Sequence, residues 1–121
     1  MYVKKIDWLD EVSKEAIIEV AEGIERLVCF SCPCLYKLND MLRKPLECSD
    51  TKGVVSCSTA GSDIKKLEKT FCYKLKGQVK DKNRGLIDVR GFLVHINQQE
   101  IPNDIENRMY IEFTTSRIDL W

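Results

Sequence analysis

The chain has 121 residues, of which 44% are apolar and 31% charged, with six cysteines and one histidine. A chain of this length predicts one globular domain over residues 1–121, whose core needs no disulfides for stability. Nineteen basic side chains balance nineteen acidic ones, which disfavours a general binder of nucleic acid or anionic membranes.

The N-terminal residues carry charges at close intervals and no apolar run of the length that a signal peptide or a membrane span needs. We therefore expect a cytoplasmic protein. Thiols stay reduced in that compartment, so the six cysteines are interpreted as packed thiols, metal ligands or redox groups before any disulfide framework.

The first part of the chain predicts an edge strand followed by a hairpin. The three strands are expected at Met1–Trp8, 15–22 and 25–32. The β-branched residues within 17–20 and the Glu22-Gly23 pair, which suits a tight turn, favour this hairpin. A single helix over 11–29 is the alternative, because apolar residues there also recur at helical spacing.

The pattern weakens between residues 33 and 61, where turn-forming residues recur and only Val54-Val55 predicts a short strand. The segment Asp63–Lys69 then begins with a good N-cap residue, and Ile64 and Leu67 share one helical face. We therefore predict one short helix there.

The clearest strand runs from Thr70 to Lys80, because apolar and polar side chains alternate along it. The inward positions are Phe71, Tyr73, Leu75 and Val79. After a loop at 81–85, Leu86–Ile96 predicts a returning strand with Ile87, Val89 and Leu93 on one face. A change of parity near Gly91 indicates a bulge and leaves Phe92 on the outer side.

A corner is expected at Ile101–Asp104, and Tyr110–Trp121 predicts the last strand. Its inward positions switch from Ile111 and Phe113 to Ile118 and Leu120. Such a switch indicates a bend at 114–116, as in a sheet that curls into a barrel.

This order of elements resembles the oligonucleotide/oligosaccharide-binding (OB) fold, in which a helix lies between the third and fourth of five strands. The resemblance covers about residues 15–96. It is carried by the hairpin at Glu22-Gly23, the helix Asp63–Lys69 and the strand pair within Gly77–Val89. We predict a mainly β fold: a small antiparallel, OB-like barrel, open or closed, of about five to seven strands with one short helix. The resemblance implies ligands on the second and third strands and in loops 22–25 and 81–85.

Cys29 and Cys32 have the CxxC spacing that zinc sites and thiol oxidoreductases use. A second pair at similar spacing is missing from the sequence. Since free cysteine is among the most buried residue types, core packing is the favoured interpretation, and we predict no metal and no cofactor. The alternatives are a metal site that uses Cys29, Cys32 or Cys34 with a distant cysteine, and a redox pair.

The best candidate for a binding site is a basic surface on the predicted hairpin after Thr70. Residues 61–90 carry nine basic side chains against four acidic ones, whereas both ends of the chain are acidic. The candidate residues are Lys74, Lys76, Lys80, Lys82, Arg84 and Arg90. Such a row suits a solvated strand face, a protein partner or a phosphate backbone. The aromatic residues Phe71 and Tyr73 fall on the opposite parity, away from any base-stacking position.

Catalytic signals are weak. His95 lies near the end of an apolar strand, and neither a hydrolase motif nor a nucleotide-binding glycine motif accompanies it. We therefore predict a non-catalytic cytoplasmic module that recognises a protein partner, of the adaptor or toxin-neutralising type, and no membrane partner. Complementary charge patches would give such a module its specificity. The alternatives are single-stranded nucleic-acid binding through the basic hairpin and the cysteine-based metal or redox site.

Overall fold

The computed structural model describes residues 1–67 and 70–121. Over these residues the chain forms eleven strands and two 3₁₀ helices, at Lys82–Arg84 and Gln98–Glu100. The first six strands are β1 (Tyr2–Asp10), β2 (Glu15–Glu22), β3 (Glu25–Ser31), β4 (Leu46–Ser49), β5 (Lys52–Ser56) and β6 (Asp63–Lys66). The others are β7 (Tyr73–Asp81), β8 (Leu86–Val89), β9 (Phe92–His95), β10 (Tyr110–Thr115) and β11 (Arg117–Asp119). In the described part of the chain, no helix is long and apolar enough to cross a membrane.

The strands form one mixed sheet in the order β1-β2-β3-β11-β4-β9-β8-β7-β10-β5, and β6 also pairs with β7. Neighbours are antiparallel except β3–β11 and β4–β9, which are parallel. The mainly β class is confirmed. The OB-like barrel is not, because this sheet is not closed and its strands outnumber the five to seven expected.

The N-terminal hairpin is confirmed, and the alternative helix over 11–29 is wrong. β2 and β3 pair from Ala16 opposite Ser31 to Glu22 opposite Glu25. Gly23 has φ +58°, the left-handed conformation that glycine tolerates best in a tight turn. The predicted edge strand is also confirmed, because β1 lies at one end of the sheet.

The predicted helix at Asp63–Lys69 is wrong over Asp63–Lys66, where the chain forms β6. Ile64 lies opposite Leu75 in the ladder with β7 and packs against the core. Pairing with β7 satisfies the backbone without a helical turn. Residues 68 and 69 of that prediction lie outside the described residues.

The single strand predicted over Leu86–Ile96 is two strands, β8 and β9, joined by a tight turn. Both turn residues have positive φ, +50° at Arg90 and +90° at Gly91. The change of parity near Gly91 therefore comes from a hairpin and not from a bulge. It also reverses the expected position of Phe92, which is fully buried.

The bend expected at 114–116 is confirmed, because β10 ends at Thr115 and β11 begins at Arg117. β10 pairs with β5 and β7, whereas β11 pairs with β3 and β4. One bent segment thus contributes strands at two separate places in the sheet, and it carries buried core residues on both sides of the bend. The largest fully buried side chains of the core include Phe92, Phe113, Ile18, Leu27 and Leu75.

Candidate functional site

The predicted alternation along β7 is largely confirmed. Tyr73, Leu75 and Val79 are buried, which places Lys74 and Lys76 on the outward side of the strand. Phe71 is an exception: it is 44% exposed because β7 begins only at Tyr73. Its expected place in the core is therefore wrong.

Lys74 and Lys76 are both engaged by neighbouring side chains. Lys74 Nζ lies 3.2 Å from Glu112 Oε1 on β10, and Lys76 Nζ donates to Thr59 Oγ1 at 2.9 Å. Of these two lysines, Lys74 therefore has its charge neutralised by a carboxylate, whereas Lys76 contacts a neutral hydroxyl.

The remaining lysines of the predicted row lie further along the chain. Lys80, still on β7, donates to Gln78 Oε1 at 3.2 Å. Lys82 and Arg84 are on the 3₁₀ helix that follows, where Lys82 Nζ donates to the Asn103 carbonyl at 2.9 Å. The acceptors in these two contacts are neutral groups. The contacts therefore leave the positive charges of Lys80 and Lys82 uncompensated.

Arg90 is held by two carboxylates and one backbone carbonyl. Its guanidinium lies 2.8 Å from Glu25 Oε1 and 3.6 Å from Asp63 Oδ1, and its Nε donates to the Ser62 carbonyl at 3.1 Å. Arg90 therefore ties the β8–β9 turn to the starts of β3 and β6.

The register adds two lysines that sequence reasoning missed. Lys65 on β6 lies directly opposite Lys74, and Lys52 on β5 lies opposite Thr114, which itself faces Lys74. We call Lys52, Lys65, Lys74 and Lys76 the lysine face. A cleft of about 190 Å³ opens on it, lined by Asp63, Lys65, Lys74, Leu75, Lys76 and Glu112. Cross-strand pairing between distant segments creates this arrangement, and no local pattern signals it.

The three cysteines within residues 29–34 have different neighbours. Cys29 is buried on the core side of β3, Cys32 Sγ lies 3.9 Å from the Ser13 carbonyl, and Cys34 Sγ lies 4.0 Å from the Tyr36 carbonyl. Within residues 1–67 and 70–121, no group of three or more histidine, cysteine or acidic side chains could hold a metal ion.

Two thiols lie near each other: Cys29 is buried in the core, and Cys48 is partly buried and packs against it. Burial, with a further contribution from Cys48, raises the pKa of Cys29 far above its ordinary value. Burial likewise raises the pKa of Cys48 from 9.0 to about 12. Since the thiolate is the reactive form of cysteine, both groups are held in the inert form at neutral pH.

A histidine–carboxylate contact and an ion pair lie side by side on the outward side of β9, β4 and β11. His95 Nδ1 lies 2.7 Å from Glu47 Oε2, and Arg117 Nε lies 2.6 Å from Asp119 Oδ1. Glu47 is the cross-strand neighbour of both His95 and Asp119. The side chain of His95 is 31% exposed, and its Nδ1 is within hydrogen-bond distance of the Glu47 carboxylate. No local sequence pattern signals either contact.

The outer edge of β1 is covered only at its start. Val3 exchanges backbone hydrogen bonds with Asn39 and Asp40, at 2.8 and 2.9 Å. Beyond Val3, no other segment of the described chain pairs with this edge. We call the stretch Lys4–Asp10 the open edge.

Large apolar side chains are exposed at the open edge and the turn that follows it. Trp8 is 43% exposed, Leu9 53% and Val12 95%. Trp8 also lines a cleft of about 270 Å³ together with Glu11 and Lys14. The open edge therefore combines unpaired backbone groups with apolar surface.

The comparisons with known proteins give no relatives: no protein family, no curated protein and no solved structure matches this chain.

Proposed function

We propose that the protein is a non-catalytic module that recognises a protein partner through the open edge of β1, in the manner of an adaptor or a toxin-neutralising protein. An edge strand presents a row of unpaired N–H and C=O groups to which a strand of another protein can add. Main-chain hydrogen bonds supply affinity in this mode, and alternate side chains supply specificity.

The observation that carries this proposal is the position of Trp8. It lies opposite Ala16, a fully buried residue of β2, so it is on the side of the sheet that faces the core. Even so, its side chain is 43% exposed, because the sheet ends at β1. Tryptophan is enriched among the residues that dominate the energetics of protein interfaces.

The test is site-specific photo-crosslinking in the cells that make the protein. A photoreactive residue replaces Leu9, and a matched one replaces Lys80, which is exposed on β7. We expect a covalent adduct with a protein from position 9, none from position 80, and loss of the adduct in the Trp8→Ser variant. No adduct at position 9, or equal yields at both positions, would contradict the proposal.

The lysine face supports a second candidate function, the binding of a single-stranded nucleic acid. Like charges directly opposite each other in a sheet are destabilising, and Lys65 lies opposite Lys74. Glu112 Oε1, 3.2 Å from Lys74 Nζ, relieves part of this repulsion, and a phosphate beside Lys65 would relieve the rest.

A fluorescent thymidine oligonucleotide provides the test of this second function. Its affinity should fall steeply with salt and should drop in Lys65→Glu far more than in the control Lys80→Glu. Undetectable binding at low salt, or an equal loss in the two variants, would exclude the lysine face as a nucleic-acid site.

A further inference from the structure

We infer that the partner which adds to the open edge is a second copy of this chain, through antiparallel pairing of two β1 strands about a two-fold axis at Ile6. This inference rests on the proposed function, because it uses the same edge and names its partner. A symmetric pairing of this kind is isologous, so the same surface must be complementary to itself.

The charges on β1 select the register. In an antiparallel pair, residues directly opposite each other share a face of the sheet, and a two-fold axis places one residue opposite its own copy. An axis at Lys5 or at Asp7 would bring identical charges together. An axis at Ile6 places Lys5 opposite Asp7 of the second copy, and it does so twice.

The paired strands would then have one charged side and one mainly apolar side. Lys5 and Asp7 lie opposite Glu19 and Ile17, on the outward side of β1. Ile6 and Trp8 lie opposite the buried residues Ile18 and Ala16, on the core side. Pairing at Ile6 brings Ile6 of the two copies together on the core side, with Trp8 of each copy two residues further along the same side.

The length of free edge fits this register. Pairing of Val3 with residues 39–40 closes the edge before Lys4, and the ladder with β2 is irregular between Val3 and Lys5 and again between Trp8 and Asp10. An axis at Ile6 pairs Lys5–Asp7 of each copy, which lie within the regular stretch Lys5–Trp8. An axis at Trp8 would run across the second irregularity and would place no lysine opposite an aspartate.

Sedimentation equilibrium at low ionic strength tests the inference with two charge variants at exposed positions. The full wild-type chain should form a dimer. Lys5→Glu and Asp7→Lys should each weaken the dimer about tenfold or more, because each creates two like-charge oppositions. An equimolar mixture of the two variants should restore it, since the introduced glutamate then faces the introduced lysine.

Lys80→Glu and Asp104→Lys change the net charge equally at exposed positions away from β1, so each should dimerise like the wild type. A monomeric wild type, or single variants that dimerise normally, would overturn the inference. A monomeric wild type whose position 9 still crosslinks to another protein would overturn the second copy alone and leave the proposed function standing. Absence of any adduct at position 9 would overturn both.

Discussion

The backbone N–H of Val28 donates a hydrogen bond to the phenolic oxygen of Tyr73 at 2.9 Å. Val28 is on β3 and Tyr73 is on β7, two strands that do not pair with each other anywhere in the described sheet. A side-chain hydrogen bond therefore links two strands that share no backbone hydrogen bonds. The ring of Tyr73 is buried, and this burial raises the pKa of its hydroxyl.

Tyr73→Phe should lower the free energy of unfolding by about 1–2 kcal/mol, because it leaves the Val28 N–H without its acceptor. Urea titration should show a lower midpoint with an unchanged m-value. Tyr110→Phe is the matched control, since it removes a hydroxyl from a half-buried tyrosine on β10. Equal losses in both variants would show that the bond to Val28 contributes nothing specific.

Gly77 and Gly23 should respond differently to alanine. A Cβ at Gly77 would lie 2.3 Å from the backbone oxygen of Asp88, so Gly77→Ala must push β7 and β8 apart, at a cost of about 3 kcal/mol. At Gly23 the same Cβ meets open space, and Gly23→Ala pays only for a left-handed alanine, about 1 kcal/mol. Thermal or urea denaturation ranks the two. The reverse order would contradict the close approach of Asp88.

How far the sequence predicts the fold depends on whether an element forms from neighbouring residues. The β2–β3 hairpin is predictable because its β-branched residues and its Glu22-Gly23 turn are contiguous. β6 is not, because Ile64 becomes a strand residue only by pairing with Leu75. β4 is similar: its parallel ladder with β9 joins Leu46 to Val94, far apart in the chain.

The candidate sites follow the same rule. The alternation within β7 predicts that Lys74 and Lys76 point outward. The lysine face needs Lys52 and Lys65, which reach it only through the registers of β5 and β6. The open edge is one continuous stretch of sequence. Its backbone groups are left without a strand partner because β1 lies at the end of the sheet.

Cys48 should make the protein less stable at high pH. Its thiol keeps its proton up to about pH 12 when folded, against an ordinary pKa of 9.0. Between these values the unfolded chain binds fewer protons, so the free energy of unfolding falls as pH rises. The contribution of this thiol is at most about 1.4 kcal/mol per pH unit.

Cys48→Ala should flatten the decline in the free energy of unfolding between pH 9 and about pH 12, as measured by urea titration. Cys57→Ala also removes one thiol, outside the core cluster, and an equal effect of the two variants would contradict burial as the cause.

Arg117 and Asp119 form an ion pair with unequal exposure, which predicts unequal effects of removing either partner. The side chain of Asp119 is 5% exposed and that of Arg117 is 43% exposed. The Arg117 guanidinium also lies 4.5 Å from the centre of the Phe30 ring, and Ser49 Oγ donates to Asp119 Oδ2 at 2.7 Å.

Arg117→Met keeps the aliphatic stem but leaves a buried carboxylate with Ser49 as its remaining side-chain donor, which should cost about 3 kcal/mol. Asp119→Asn keeps a side-chain oxygen that can accept from the buried Arg117 Nε, and water reaches other parts of the arginine, so this change should cost about 1 kcal/mol. Urea denaturation of both variants and of the double variant gives the coupling energy. The double variant should be more stable than Arg117→Met, because the charge that was left unpaired is then gone. A larger loss for Asp119→Asn than for Arg117→Met would mean that the carboxylate is well solvated and that the two partners do not differ in burial.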